Sequence, residues 1–70
     1  MADITAEMTA NVWQLTVAEG DTVEDGDVIA VLESMKMEIP VIADSAGTVQ
    51  FHVKAGDAIN EGDPIATITT

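Results

Sequence analysis

The feature that most constrains this chain is an internal repeat. Shifted by 36 residues, positions 10–32 fall on positions 46–68, with identities at Ala10/Ala46, Gln14/Gln50, Val17/Val53, Gly20/Gly56, Asp21/Asp57, Gly26/Gly62, Asp27/Asp63, Ile29/Ile65 and Ala30/Ala66. Within each copy, alternation marks a half-buried strand: Trp13, Leu15 and Val17 in the first, Val49, Phe51 and Val53 in the second. Two Gly-Asp pairs follow in each copy, with four residues between them. Glycine there supplies a positive φ, and the aspartate side chain bonds a nearby backbone N–H. The spacing predicts strands near 3–7, 12–17, 28–32, 39–43, 48–53 and 64–69, with short strands at Thr22-Val23 and Ala58-Ile59. Asp44 to Gly47 reads as a turn. Two copies are too few for a solenoid. The economical solution is a pair of four-stranded antiparallel sheets packed face to face about a pseudo-two-fold axis, an all-β flattened barrel or sandwich. The two alternating triplets would fill the space between the sheets, and the connection at residues 33–45 would lie at one end, on or near the axis.

Seventy residues make one small domain, spanning 1–70. Trp13 and Phe51 are the only aromatic residues, so aliphatic side chains must form the core. A chain of this size leaves little room for a deep substrate cleft of about 300 Å³, which weighs against an independent enzyme. There is no cysteine for a disulfide or thiolate metal site. The formal net charge is −11, with Lys36 and Lys54 the only basic residues. That balance disfavours nucleic acid and anionic membranes and favours basic surfaces of protein partners. A monomeric cytoplasmic protein is the expectation. His52, the only histidine, falls on the polar face of its strand, and the acidic loop at Asp21–Asp27 lacks the full pattern of a calcium site.

Between the copies stands Glu33-Ser34-Met35-Lys36-Met37-Glu38-Ile39-Pro40-Val41. If the flanking runs pair, the tip falls at Met35-Lys36. Tight two-residue hairpin loops favour Asn and Gly, so Met and Lys there point to a functional demand. Pro40 places its strand at a sheet edge or a bulge. Two methionines at an exposed tip suit contact with a partner. A lysine held out on a rigid hairpin can be acylated once its amine loses a proton, which turns it into a long uncharged arm.

At Ser34-Met35-Lys36-Met37 the chain resembles the biotin-attachment motif of biotin carboxyl carrier domains, Ala-Met-Lys-Met. The halves and Gly-Asp turns are similar to those of the biotinyl/lipoyl attachment family over nearly the whole chain. The resemblance implies two four-stranded sheets with the modified lysine on a hairpin tip, and a non-catalytic carrier. Biotin would be joined to Lys36 by a biotin protein ligase. As carboxybiotin it would carry a carboxyl group from a biotin carboxylase to a carboxyltransferase. No protruding loop or Pro/Ala-rich linker is present, so those carboxylase subunits are expected to act in trans. Ser34 stands where the motif usually has Ala. The continuation Glu38-Ile39-Pro40 looks like that of compact stand-alone attachment proteins and some multidomain carboxylases. Met35 and Met37, with Ser34, Glu33 and Glu38, are the expected recognition residues, the two glutamates helping the ligase and excluding lipoyl ligases. The rivals are a lipoyl domain, whose hairpin usually reads Asp-Lys-Ala and would carry lipoate on Lys36, and an unmodified structural hairpin domain.

Overall fold

A computed structural model describes residues 2–70. Eight strands form in chain order. They are β1 Ala2–Thr5, β2 Ala10–Leu15, β3 Thr22–Val23, β4 Val28–Ser34, β5 Met37–Ile42, β6 Gly47–Phe51, β7 Ala58–Ile59 and β8 Pro64–Thr69. They make two four-stranded sheets of order β1-β8-β6-β3 and β5-β4-β2-β7, with every pairing antiparallel. Each sheet takes strands from both halves of the chain. Neither half could close a core alone, so the two copies interlock.

The four Gly-Asp pairs are the joints of this interlock. At each, the Asp amide donates to the carbonyl three residues earlier, and the Asp Oδ2 accepts that residue's amide at 2.8–2.9 Å, as for Ala18/Asp21, Glu24/Asp27, Lys54/Asp57 and Asn60/Asp63. The intervening glycines have φ of +89 to +96°, which turns of this kind require. Each glycine amide then donates to one buried residue, and the neighbouring Asp carbonyl accepts that residue's amide. The residues held this way are Val49, Ala43, Val12 and Ala6. Asp27→Ala removes one side-chain acceptor at an exposed turn and is expected to cost about 1 kcal/mol. Urea unfolding of Asp27→Ala and of an Asp27→Ala/Asp57→Ala pair checks this. The two turns share no partner, so their effects should add.

The same bonds reveal the true symmetry. Val12 takes the place of Val49, and Ala6 that of Ala43, at an offset of 37; Asp21 matches Asp57 and Ile29 matches Ile65 at 36. The two offsets meet at Trp13. There the β2–β4 register slips, with Val12 opposite Leu32 and Gln14 opposite Val31. This is a β-bulge, one extra residue that the second copy lacks. It corrects the inward set expected for β2. Val12 is buried and Trp13 is 51% exposed, while Leu15 and Val17 are only partly buried beside the core. In the second copy Val49 is fully buried, with Phe51 and Val53 partly so. The core is aliphatic, with Ile29, Ile65, Ile68, Val12, Val23 and Val49 its largest fully buried side chains.

At the 37-residue offset the repeat extends back through β1, which is the mate of β5. The Leu32–Ile39 pairing thus corresponds to the Ile68–Ala2 pairing. The mate of the β4–β5 tip is therefore the open end where β1 and β8 meet. A point whose mate lies elsewhere cannot sit on the axis, so the tip is off it, contrary to expectation. Nor is 33–45 mainly a connection: Glu33 and Ser34 end β4, Met37 to Ile42 form β5, and only Met35 and Lys36 turn. Gly47 begins β6 and does not belong to the preceding turn.

Candidate functional site: the β4–β5 hairpin

The hairpin is set by its sequence. Val28 to Leu32 supplies β-branched and apolar residues that continue the sheet, with Ile29, Ala30 and Leu32 buried. Ile39 and Val41 anchor the return strand against the same core. β5 is an edge strand, where the donor missing from Pro40 costs least, as expected. The ladder runs in register from Val31–Pro40 through Leu32–Ile39 and Glu33–Glu38 to Ser34–Met37. That leaves two residues for the loop.

Those two residues are strained. Met35 has φ of 49° and Lys36 of 67°, and among the described residues they are the only non-glycine positions with positive φ. Positive φ at both central positions is the type I′ signature, whose twist matches that of the strands. A side chain in this region costs about 1–2 kcal/mol per residue. The register forces the conformation, and the strain expected from the sequence is present. Lys36 is exposed, Met35 is 92% exposed and Met37 66%. The amine thus stands on a short stiff turn, clear of the domain body.

Ser34 does more than replace alanine. Its hydroxyl donates to the Thr9 carbonyl at 3.3 Å, tying the rung next to the turn to the β1–β2 connection. Glu33 and Glu38 are direct cross-strand partners, both exposed, just behind the tip. Like charges placed opposite each other oppose folding by a few tenths of a kcal/mol. Neither the strained turn nor this pair serves stability. All six residues singled out by sequence therefore lie together in one β-hairpin: Glu33, Ser34, Met35, Lys36, Met37 and Glu38.

Among the described residues, no other part of the surface brings a comparable set of reactive groups together. An open apolar groove of about 300 Å³ runs between β1 and β5 past Ile4, Met8 and Ile39. It reaches the size thought too large for this chain because the free edges of the two sheets leave a gap. Among the described residues, Glu7 is the only titratable one lining it. A wider depression of about 450 Å³ holds Glu19, His52, Lys54 and Asp57. Its carboxylates are engaged by backbone amides, Glu19 by Phe51 and Asp57 by Lys54. His52 lies just past β6 rather than in it, exposed, with Nε2 2.8 Å from the Thr67 hydroxyl, which donates in turn to Asp3 at 3.1 Å. With the Thr67 proton committed to Asp3, Nε2 must be the donor, so this chain of bonds is a strap across β8 and not an activated hydroxyl.

Two interlocked four-stranded sheets displaying one lysine on a strained hairpin define a class of small carrier-type domains. The biotin/lipoyl family model, described as "Biotin-requiring enzyme", matches residues 1–68, and the chain belongs to this biotin/lipoyl attachment family. It is 52% identical over 68 residues to the biotinylated protein TB7.3 homolog of Mycobacterium leprae, covering 96% of each chain. It is 43% identical to the biotin/lipoyl attachment protein of Bacillus subtilis over 67 residues, 94% of this chain and 92% of that one. Among solved structures, the urea carboxylase of Kluyveromyces lactis contains a match with a TM-score of 0.89 and 36% identity, spanning 97% of this chain and 6% of that enzyme. Family membership implies a covalently attached biotin or lipoate.

Proposed function

We propose that Lys36 is biotinylated by a biotin protein ligase and that the domain is a carboxyl carrier, serving a biotin carboxylase and a carboxyltransferase in trans. The observation that carries the reading is Lys36 itself, exposed on a turn where folding alone would favour Asn and Gly over Met and Lys. Relatives named for biotin support biotin over lipoate. The residues suit the group. An exposed primary amine beside an exposed Met35 and Met37 is open to an acylating enzyme. When bound, biotin supplies a ureido nitrogen able to take up and release a carboxyl group.

The chain's own contributions are three. The Lys36 amine, once deprotonated, attacks the activated acyl carbon; the amide bond forms, the activating group leaves with the bonding electrons, and the nitrogen gives up a proton. The strained turn fixes the direction in which the Lys36 Cα–Cβ bond leaves the backbone, while the stem beyond it stays flexible. Met35 and Met37 present flexible, polarizable surface beside the arm, suited to the walls of more than one partner. The domain itself catalyses nothing.

Intact mass and peptide mapping of the protein from its own cytoplasm test the proposal. A biotin increment on Lys36, absent from Lys36→Arg, is the expected result. An unmodified Lys36 in cells that biotinylate other proteins would refute it. A lipoyl increment would establish the second reading, which the biotin/lipoyl name of the Bacillus subtilis relative favours.

A Met35→Ala/Met37→Ala variant should fold as the parent does, because both side chains are largely exposed. It should lose roughly ten-fold or more in carboxyl transfer, the equivalent of about 1.4 kcal/mol of lost contact. Melting temperature and carboxylase turnover, measured on the same biotinylated sample, separate the two effects. Full turnover would remove the methionines from the recognition set.

A further inference from the structure

The pseudo-symmetry supplies an internal control for the surface. Most outward residues of the β5-β4-β2-β7 sheet have a structural mate on the β1-β8-β6-β3 sheet. Val31 matches Thr67, Pro40 matches Asp3 and Ile42 matches Thr5. The mates are polar, and two of them, Thr67 and Asp3, are joined in the hydrogen-bonded strap that ends at His52. The hairpin-bearing sheet is instead apolar at these positions. Ile42 is 42% exposed and Pro40 is exposed; Val28, opposite Ile42, is 39% exposed, and there the mate, Pro64, is apolar as well. To this face the bulge adds Trp13, which has no mate. Because Val12 faces the core and Trp13 and Gln14 together oppose Val31, the extra residue is directed outward. The largest side chain in the protein is thus exposed on the one sheet that carries Lys36. An interior that buries neither of the chain's aromatic residues fully gives no folding reason for placing it there.

We infer that this outer face, centred on Trp13, is the surface on which the biotin protein ligase seats the domain, an inference that rests on the reading of Lys36 as a biotinylation site. Reach and charge select the ligase among possible partners. A bare lysine stem extends about 6 Å, so the acylating enzyme must bring its active site close to the tip and must touch the adjoining sheet. Once the arm is attached, later partners can work from farther away. Glu33 and Glu38 edge the apolar face on the side of the tip, in a chain of net charge −11. The fitting partner surface is an apolar patch bordered by Lys and Arg toward its active site, where opposite charge guides encounter and sets orientation. Exposed aromatic anchors of this kind commonly dominate binding energy.

The chain provides its own replacements. In Trp13→Ser/Val31→Thr/Ile42→Thr, two positions take their mates' residues and the third loses its aromatic ring. With the full-length unmodified protein as substrate, biotin protein ligase should show KM raised roughly 30-fold with kcat nearly unchanged, as loss of one binding hot spot predicts. Gln50→Ala, on the opposite sheet, should behave as the parent. Fluorine NMR of the parental protein labelled with 5-fluorotryptophan reports on Trp13 alone, and its signal should shift or broaden when ligase is added. This second measurement holds even if the triple variant folds poorly. An unmoved Trp13 signal, or a folded triple variant with parental kcat/KM, overturns the inference while leaving Lys36 biotinylation standing. Parental ligation with a defect only in carboxylation also overturns it, and gives the face to the carboxylase. If the parental protein is not biotinylated at all, the underlying reading fails and this inference falls with it.

Discussion

Gly47→Ala is expected to destabilise the domain by about 3 kcal/mol, the upper range for forcing extra volume into a packed site. A Cβ at this position would stand 2.5 Å from the Thr69 carbonyl oxygen and 2.9 Å from Ile68 Cγ2. The first is backbone in β8, the strand paired to β6, so the sheet itself must shift. A domain of this size has about 3–5 kcal/mol in all, so Gly47→Ala should be largely unfolded at modest urea concentration. Gly26→Ala is the comparison. Nothing lies within 4 Å of its Cβ, and only the positive φ of +96° opposes the substitution, at about 1–2 kcal/mol. Urea titrations of both, read as midpoints at constant slope, rank the two costs. A midpoint for Gly47→Ala equal to that of Gly26→Ala would show that β6 and β8 do not approach as closely as described.

Relieving the hairpin should do the opposite. Met35→Asn/Lys36→Gly installs the pair that type I′ turns prefer. Removing the strain of two side chains at φ of 49° and 67° is worth about 2–4 kcal/mol at most. The new glycine returns about 0.5–1 kcal/mol by loosening the unfolded chain. A net gain of about 1–2 kcal/mol should raise the melting temperature by about 4–8 °C per kcal/mol in a domain this small. The same variant can carry no group at position 36. Stability and attachment would thus be shown to compete at two adjacent residues, as expected where a turn is shaped for display. A melting temperature at or below that of the parent would mean that the turn is not strained. Met35→Asn alone, which keeps Lys36, should show part of the gain and remain a substrate for attachment.

The site was legible in the sequence because its signals are local. Met-Lys-Met between two runs of strand-forming residues admits few loop geometries, and the expected one is present. The Gly-Asp turns were legible for the same reason: Asp21, Asp27, Asp57 and Asp63 each bond an amide three residues away. The direction of Trp13 was not legible. Ungapped alignment placed it on Val49, and the alternation Trp13-Leu15-Val17 looked inward. Only the pairing with β4 shows that one residue is extra, and one extra residue reverses every side chain before it. The depth of the apolar exposure on that sheet was hidden with it.

By itself, then, the sequence determined the two-fold repeat, the turns, the all-β class and a lysine at a hairpin tip, because each rests on residues near one another along the chain. Tertiary structure decided how the copies interlock, and so which sheet each strand joins. It made β1 the mate of β5, moved the tip off the axis, required glycine at 47 where its mate Ala10 keeps a methyl group, and turned Trp13 toward solvent. Those outcomes depend on register between strands distant in sequence, which is set when the two faces bury their aliphatic side chains against each other.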